Sequence, residues 1–134
     1  MTRMRIMVSG GFDPLHIGHI RMIEAAAKYG KVIVALNSDD WLTRKKGKPF
    51  MKFDERAEIL ESLASVHLVT EVDDSDGTVC KALRRYVPHF FGNGGDRTTA
   101  NPLEDAVCKE IGIRQIFHLG GYKVQSSSAL CATR

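Results

Sequence analysis

Short apolar runs alternate along this chain with amphipathic segments, and that alternation constrains the fold more than any other feature. Arg5-Ile6-Met7-Val8-Ser9 leads into Gly10-Gly11, Lys31 to Leu36 contains Val-Ile-Val-Ala-Leu, and His67 to Val72 is a third run. His89-Phe90-Phe91 runs into Gly92-Asn93-Gly94-Gly95, and Gln115 to Leu119 stops at Gly120-Gly121. Runs this short, bounded by glycine, read as buried strands. Between them, Gly18 to Tyr29 places Ile20, Ile23, Ala26 and Ala27 on one helical face, with Gly30 read as the glycine that stops the helix. Phe53 opens another helix, with Asp54 as its expected N-cap and Ile59, Leu60 and Leu63 as its buried stripe. Thr78 to Tyr86 is closed by Pro88, Pro102 to Ile111 is followed by Gly112, and a last helix starts at Ser126. Asn37 to Phe50 is polar and rich in Lys and Arg, and reads as a loop with one helical turn around Asp40 to Arg44.

Strands that alternate with helices at this spacing argue for a parallel sheet covered on both faces. The expected fold is therefore α/β: a single doubly wound, Rossmann-like domain over 1–134 with a five-stranded parallel sheet. The 134 residues suit one domain, and 43% apolar residues suffice for a core. A formal net charge of +3 is too mild to argue for nucleic acid. The densest basic cluster, Arg44, Lys45, Lys46 and Lys48, lies in the expected loop, where phosphate binding competes with a plain solvated face. Cys80, Cys108 and Cys131 are widely spaced within helical patterns and read as buried reduced thiols. Met1 to Arg5 leads straight into a strand without the apolar stretch of a signal peptide, and no run approaches transmembrane length. A cytoplasmic protein without membrane attachment is expected.

In doubly wound folds ligands bind at the carboxyl ends of strands, beside helix N-termini. The first strand ends in Gly10-Gly11-Phe12-Asp13-Pro14-Leu15-His16-Ile17-Gly18-His19. The two glycines let the backbone approach a ligand closely, and Asp13-Pro14 makes a turn. His16 and His19, three apart at a helix start, share a face. Two imidazoles beside a phosphate-attracting helix end can hydrogen-bond phosphate oxygens and stabilise charge developing there. Gly18 between them leaves room for a ligand. Such a His pair could also bind a metal, but no third ligand is evident nearby, and Gly-Gly after a strand could be only a tight connection.

The ten residues from Gly10 to His19 resemble the G-x-F-D-x-x-H-x-G-H signature of the cytidylyltransferase-like nucleotidyltransferase superfamily. Arg44-Lys45-Lys46-Gly47 with Phe53-Asp54-Glu55-Arg56 resembles that family's loop lysine and its F-[DE]-x-R helix start. Gly94-Gly95-Asp96 resembles its nucleotide segment, and Gln125-Ser126-Ser127-Ser128 its C-terminal I-S-[ST]-[ST] helix start. The motifs occur in the family's order and span essentially the whole chain.

The resemblance implies transfer of a nucleoside monophosphate from a nucleoside triphosphate, CTP or ATP, to a small phosphorylated acceptor. The acceptor's phosphate oxygen attacks the α-phosphorus in line and pyrophosphate leaves. It implies that His16, His19, Lys46 and Arg56 are catalytic. Gly10, Gly11, Phe12, Asp13, Gly18, Gly94, Asp96, Ser126, Ser127 and Ser128 are implied to bind nucleotide, with Mg²⁺ bridging phosphate oxygens. The chain departs from many relatives in carrying Gly11 where they have Thr, and Lys123 is the only cation near the position of an arginine in the glycerol-phosphate cytidylyltransferases. Gly94-Gly95-Asp96 is closer to the heptose-phosphate adenylyltransferases, and the serine triplet is similar to that of the pantetheine-phosphate adenylyltransferases. Small size and Phe53 to Arg56 incline the reading to CTP and an alcohol phosphate such as glycerol 3-phosphate. The alternatives are adenylyl transfer to a sugar or pantetheine phosphate, or a non-catalytic nucleotide-binding module. A flavodoxin-like electron carrier would want a hydroxyl- and Gly-rich loop in place of paired histidines. Trp41, Leu42 and Phe50 in the charged loop, with Phe12 beside the histidines, read either as part of an interface or ligand wall or as packing under the loop, and a twofold homodimer is expected.

Overall fold

A computed structural model of the chain describes residues 4–94 and 101–121. Strand β1 (Arg5–Gly10) lies at the centre, because Ile6, Met7 and Val8 are each 0% exposed and need cover on both faces. It pairs in parallel with β2 (Lys31–Leu36) from Arg5↔Lys31 to Gly10↔Leu36. On its other side it pairs with β4 (Phe90–Gly94), Ile6 opposite Phe90. Strands β3 (Val66–Glu71) and β5 (Arg114–Leu119) form the edges, giving five parallel strands in the order β3-β2-β1-β4-β5.

The period of two along the strands divides the core. Ile6, Val8, Val32 and Val34 point to α1 (Ile17–Ala27) and α3 (Phe53–Glu61), packing with Ile23, Ala26, Ala57 and Leu60. Met7, Ile33, Ala35 and Phe91 point to α4 (Cys80–Tyr86) and α5 (Pro102–Ile111), packing with Leu83, Val107 and Cys108. The architecture is the expected doubly wound α/β fold. Among the described residues no helix is long and apolar enough to cross a membrane.

Several local expectations are corrected. The turn expected around Asp40 to Arg44 is part of a longer, two-turn helix, α2 (Asp39–Lys46). Ser38 caps it by accepting the Trp41 N–H at 3.0 Å, while Asp39 and Asp40 in its first turn and Arg44, Lys45 and Lys46 in its last complement the helix dipole. Its charged composition hid an apolar anchor, Leu42, which is buried. Helix α3 starts one residue before Asp54, so Lys52 is the N-cap and makes no side-chain cap. Its buried face is Arg56, Ala57 and Leu60, whereas Ile59 and Leu63 are only half-buried. Gly30 is not the αL stop of α1, whose C-cap is Lys28; a Cβ on Gly30 would lie 2.5 Å from the Met4 carbonyl oxygen, so it serves close approach to the start of β1. Gly92-Asn93-Gly94 continues β4 instead of turning. A side chain at Gly92 would meet Leu119 at 2.5 Å and Val8 at 3.1 Å, so crowding between neighbouring strands explains that glycine. Cys108 is buried, its thiol pushed up to about 11 by desolvation, but Cys80 is only half-buried, and Cys131 lies outside the described residues.

Candidate active site

The chain leaves β1 toward β2 on one side of the sheet and later returns to β4 on the other, so the sheet order reverses between β1 and β4. The carboxyl ends of those two strands flank the crevice where such folds bind ligands. The Gly10 to His19 turn leaves β1 there, and Gly94 ends β4 beside it, its missing side chain giving room to Met22 of α1.

The turn is built by unusual local bonding. His16 is the N-cap of α1, and its Nδ1 accepts the Gly18 N–H at 3.1 Å. His19 reaches back in turn, its Nδ1 accepting the His16 N–H at 3.1 Å. This is a reciprocal capping box in which two imidazoles take the places of the usual hydroxyl and carboxamide. The rings stack at 3.8 Å between centroids, and Phe12 packs edge-on to His19 at 4.7 Å. Because each Nδ1 accepts a backbone N–H, the proton of each neutral ring sits on Nε2. Both side chains therefore present Nε2–H donors at a helix N-terminus. Phe12 is held at a φ of 49°, a left-handed conformation rare for a bulky residue, and its ring is buried.

Asp13 and Arg56, both 1% exposed, tie this turn to the rest of the site. Asp13 Oδ2 accepts the Phe50 N–H at 2.7 Å and Oδ1 the Met51 N–H at 2.6 Å. Lys46, at the end of α2, donates to the Asp13 carbonyl at 2.7 Å and lies 3.4 Å from Oδ2. Arg56 donates to four acceptors: Met51 O at 3.0 Å, Gly11 O at 2.8 Å, Asn37 O at 2.9 Å and Asp39 Oδ1 at 2.7 Å. It thus joins the ends of β1 and β2, the start of α2 and the segment before α3. A Cβ at Gly11 would lie 2.7 Å from the Leu42 Cδ2 methyl, so a side chain there would require Leu42 to shift.

The structure thus brings Gly10, Gly11, Phe12, Asp13, His16, Gly18, His19, Lys46 and Arg56 together at the end of β1, with Gly94 on the neighbouring strand. Asp96, Ser126, Ser127 and Ser128 lie outside the described residues. The apolar cluster near the site is smaller than the sequence suggested. Phe12 and Leu42 belong to the buried core, leaving half-buried Trp41 and exposed Phe50.

Sequence reasoning missed a second network at the end of β2. Asp74 accepts from Asn37 Nδ2 at 3.1 Å, from the Ser38 N–H at 2.9 Å and from Ser38 Oγ at 2.7 Å. Arg44 donates to the Asp74 carbonyl at 2.9 Å. Asn37-Ser38-Asp39 after a buried strand was the available signal, since a run of small polar residues there marks a helix cap. Beyond it opens a cleft of about 430 Å³, lined among others by Asp40, Arg44, Glu71, Asp73 and Arg85. Among the described residues no group of three or more His, Cys, Asp or Glu could hold a metal ion.

Comparisons with known proteins bear on the family and the fold. The chain is 34% identical over 110 residues to the bifunctional protein HldE of Gluconobacter oxydans, covering 80% of this chain and 22% of that one. It is 38% identical over 109 residues to HldE of Haemophilus influenzae, covering 79% and 22%. The chain thus spans about a fifth of the length of these curated relatives. The fold matches the lipopolysaccharide core biosynthesis protein of Thermoplasma volcanium with a TM-score of 0.77 at 22% identity, covering 91% of this chain and 100% of that one. It also matches a bifunctional NMN adenylyltransferase/ADP ribose pyrophosphatase of Francisella tularensis, TM-score 0.70 at 16% identity, over 98% of this chain and 42% of that one. The cytidylyltransferase-like family pattern matches residues 7–125, from the middle of β1 past the end of β5, and the chain belongs to that family.

Proposed function

We propose that this chain is a nucleotidyltransferase domain that moves AMP from ATP onto a sugar phosphate of the heptose phosphate class, releasing pyrophosphate. The observation that carries the reaction type is the histidine capping box, which sets both rings as Nε2–H tautomers at the N-terminus of α1, at the carboxyl end of β1. An oxygen of the acceptor's phosphate forms a bond to the α-phosphorus as the bond from that phosphorus to the bridging β-oxygen breaks. Charge grows on the α-phosphoryl oxygens and on the departing pyrophosphate. His16 and His19 donate to those oxygens, the dipole at the N-terminus of α1 adds to the field, and Lys46 supplies a cation at the rim. Arg56 acts from behind, holding Gly11, Asn37, Asp39 and Met51 in place. Asp96 and the Ser126 to Ser128 segment complete the triphosphate site in this reading.

The described residues build no carboxylate cage, so Mg²⁺ would be held mainly by phosphate oxygens, where it neutralises charge. Adenylyl transfer to a sugar phosphate is supported by the HldE relatives and by the resemblance of Gly94-Gly95-Asp96 to heptose-phosphate adenylyltransferases. Cytidylyl transfer to glycerol 3-phosphate is the second reading, favoured by Phe53-Asp54-Glu55-Arg56. A twofold homodimer with its contact near Trp41 and Phe50 belongs to the proposal, and light scattering at micromolar concentration tests it. The reaction is tested by pyrophosphate release from four nucleoside triphosphates against sugar, polyol and vitamin phosphates. ATP with a heptose phosphate is expected to dominate. CTP with glycerol 3-phosphate dominating would select the second reading, and no release from any pair would overturn both.

A further inference from the structure

We infer that Asp13 is a positioning residue for the transfer reaction, acting through Lys46 instead of touching nucleotide. The kinetic part of this inference rests on the nucleotidyl-transfer reading. The Asp13 side chain is 0% exposed, whereas that of Lys46 is 21% exposed, so the carboxylate lies behind the ammonium. Both carboxylate oxygens are turned to the 50–51 backbone, at 2.7 Å and 2.6 Å. A buried anion in that place repels phosphate oxygens, so it is unsuited to contact them directly.

Its geometry suits another task. A lysine ammonium has three N–H donors on a long, freely rotating stem. Asp13 engages that ammonium twice, through its carbonyl at 2.7 Å and its Oδ2 at 3.4 Å. Two contacts to one residue fix the direction of the remaining N–H and remove the rotational freedom of the stem before a ligand arrives. The same carboxylate fixes Met51, whose carbonyl in turn accepts from Arg56 Nε at 3.0 Å. Asp13 therefore sets the distance between the histidine turn, three residues further along the chain, and the lysine at the end of α2.

A double-mutant cycle with Asp13→Asn and Lys46→Ala tests this in two ways. In kinetics, Asp13→Asn should lower kcat by about 10-fold or more with a smaller change in KM, yet lower it by no more than about 2-fold in the Lys46→Ala background. Equal losses in both backgrounds would mean a merely structural role and overturn the inference, as would an unchanged kcat. In urea unfolding of the same four free proteins, the two substitutions should be non-additive; additivity overturns the pairing whatever the activity. If the wild-type chain releases no pyrophosphate, the unfolding cycle still decides whether Asp13 holds Lys46, so that failure is separate from failure of the functional reading. Should Asp13→Asn not fold, Asp13→Glu keeps the charge but displaces it, and takes its place in both cycles with the same expected outcomes.

Discussion

The buried charges at the carboxyl end of the sheet and the exposed ion pairs made by α4 and α5 live by different physics. At the carboxyl end, Arg56 and Asp13 are 1% exposed and Asp74 is 3% exposed, each bonded to backbone from distant segments. Arg84 of α4 pairs with Glu110 of α5 with both side chains at least half exposed, and Lys81 of α4 pairs just as openly with Asp73 in the loop after β3. Removing charges from water is expensive, and apolar packing of similar volume would stabilise as well or better. Exposed pairs are cheap to keep and contribute about 0–1 kcal/mol each. Buried charge at this end of the sheet therefore marks where the fold gives up stability for geometry, as does Glu104 on α5, which is buried and accepts the Val79 N–H, while the exposed pairs decorate a surface.

The comparison breaks most sharply at Arg56. Arg56→Ala should destabilise the fold by about 3–5 kcal/mol, because the carbonyls of Met51, Gly11 and Asn37 lose their donor at about 1–3 kcal/mol each, whereas Asp39, 40% exposed, turns to water. Urea unfolding measures it, and a loss under about 1 kcal/mol would place Arg56 with the surface pairs. His19→Ala should lower turnover by about 10²-fold or more through loss of one donor. It also removes the acceptor for the His16 N–H, so a further stability loss of about 0.5–2 kcal/mol is expected. Lys46→Ala should cost about 10-fold or more in turnover with only a small fall in Tm, since the ammonium sits at the rim while Asp13 retains two backbone donors. An unchanged turnover would move Lys46 into the decorative class.

The smallest effect belongs to the surface. The Lys81 hydrogen bond, helped by Ser75, lowers the Asp73 carboxyl from 3.8 to about 2. A carboxyl depressed in the folded state contributes stability that is fully present above about pH 4 and is lost as pH falls through about 2. Asp73→Asn should therefore cost a little stability at neutral pH, where the contribution is fully present, and nothing below about pH 2, where the wild type has already lost it. A large loss at pH 7 would contradict the contrast drawn between the two regions.

What could be read in the sequence follows the same division. Apolar runs such as Ile6-Met7-Val8 and Val32-Ile33-Val34 announce strands because their residues are satisfied by burial alone. The His16 and His19 pair was legible because a three-residue spacing at a strand-to-helix junction is local information. The clamp of Arg56 was not, since its partners are main-chain carbonyls at Gly11, Asn37 and Met51, and any residue type supplies those. Helix α2 was legible only as a single turn around Asp40 to Arg44, because its eight residues bury only Leu42 and periodicity had little to show. Asp13 was legible as part of a motif, but its direction, inward to Phe50, Met51 and Lys46, was not.

The central claim is that the capping box presents both histidines as Nε2–H donors to a triphosphate. Nitrogen-15 spectra of ring-labelled histidine, assigned with His16→Asn and His19→Asn, read the tautomers directly. At neutral pH both rings should show a pyridine-like Nδ1 and a protonated Nε2, and saturating nucleoside triphosphate should shift both Nε2 signals. An Nδ1–H tautomer at either position, or spectra that triphosphate leaves unmoved, would contradict the account.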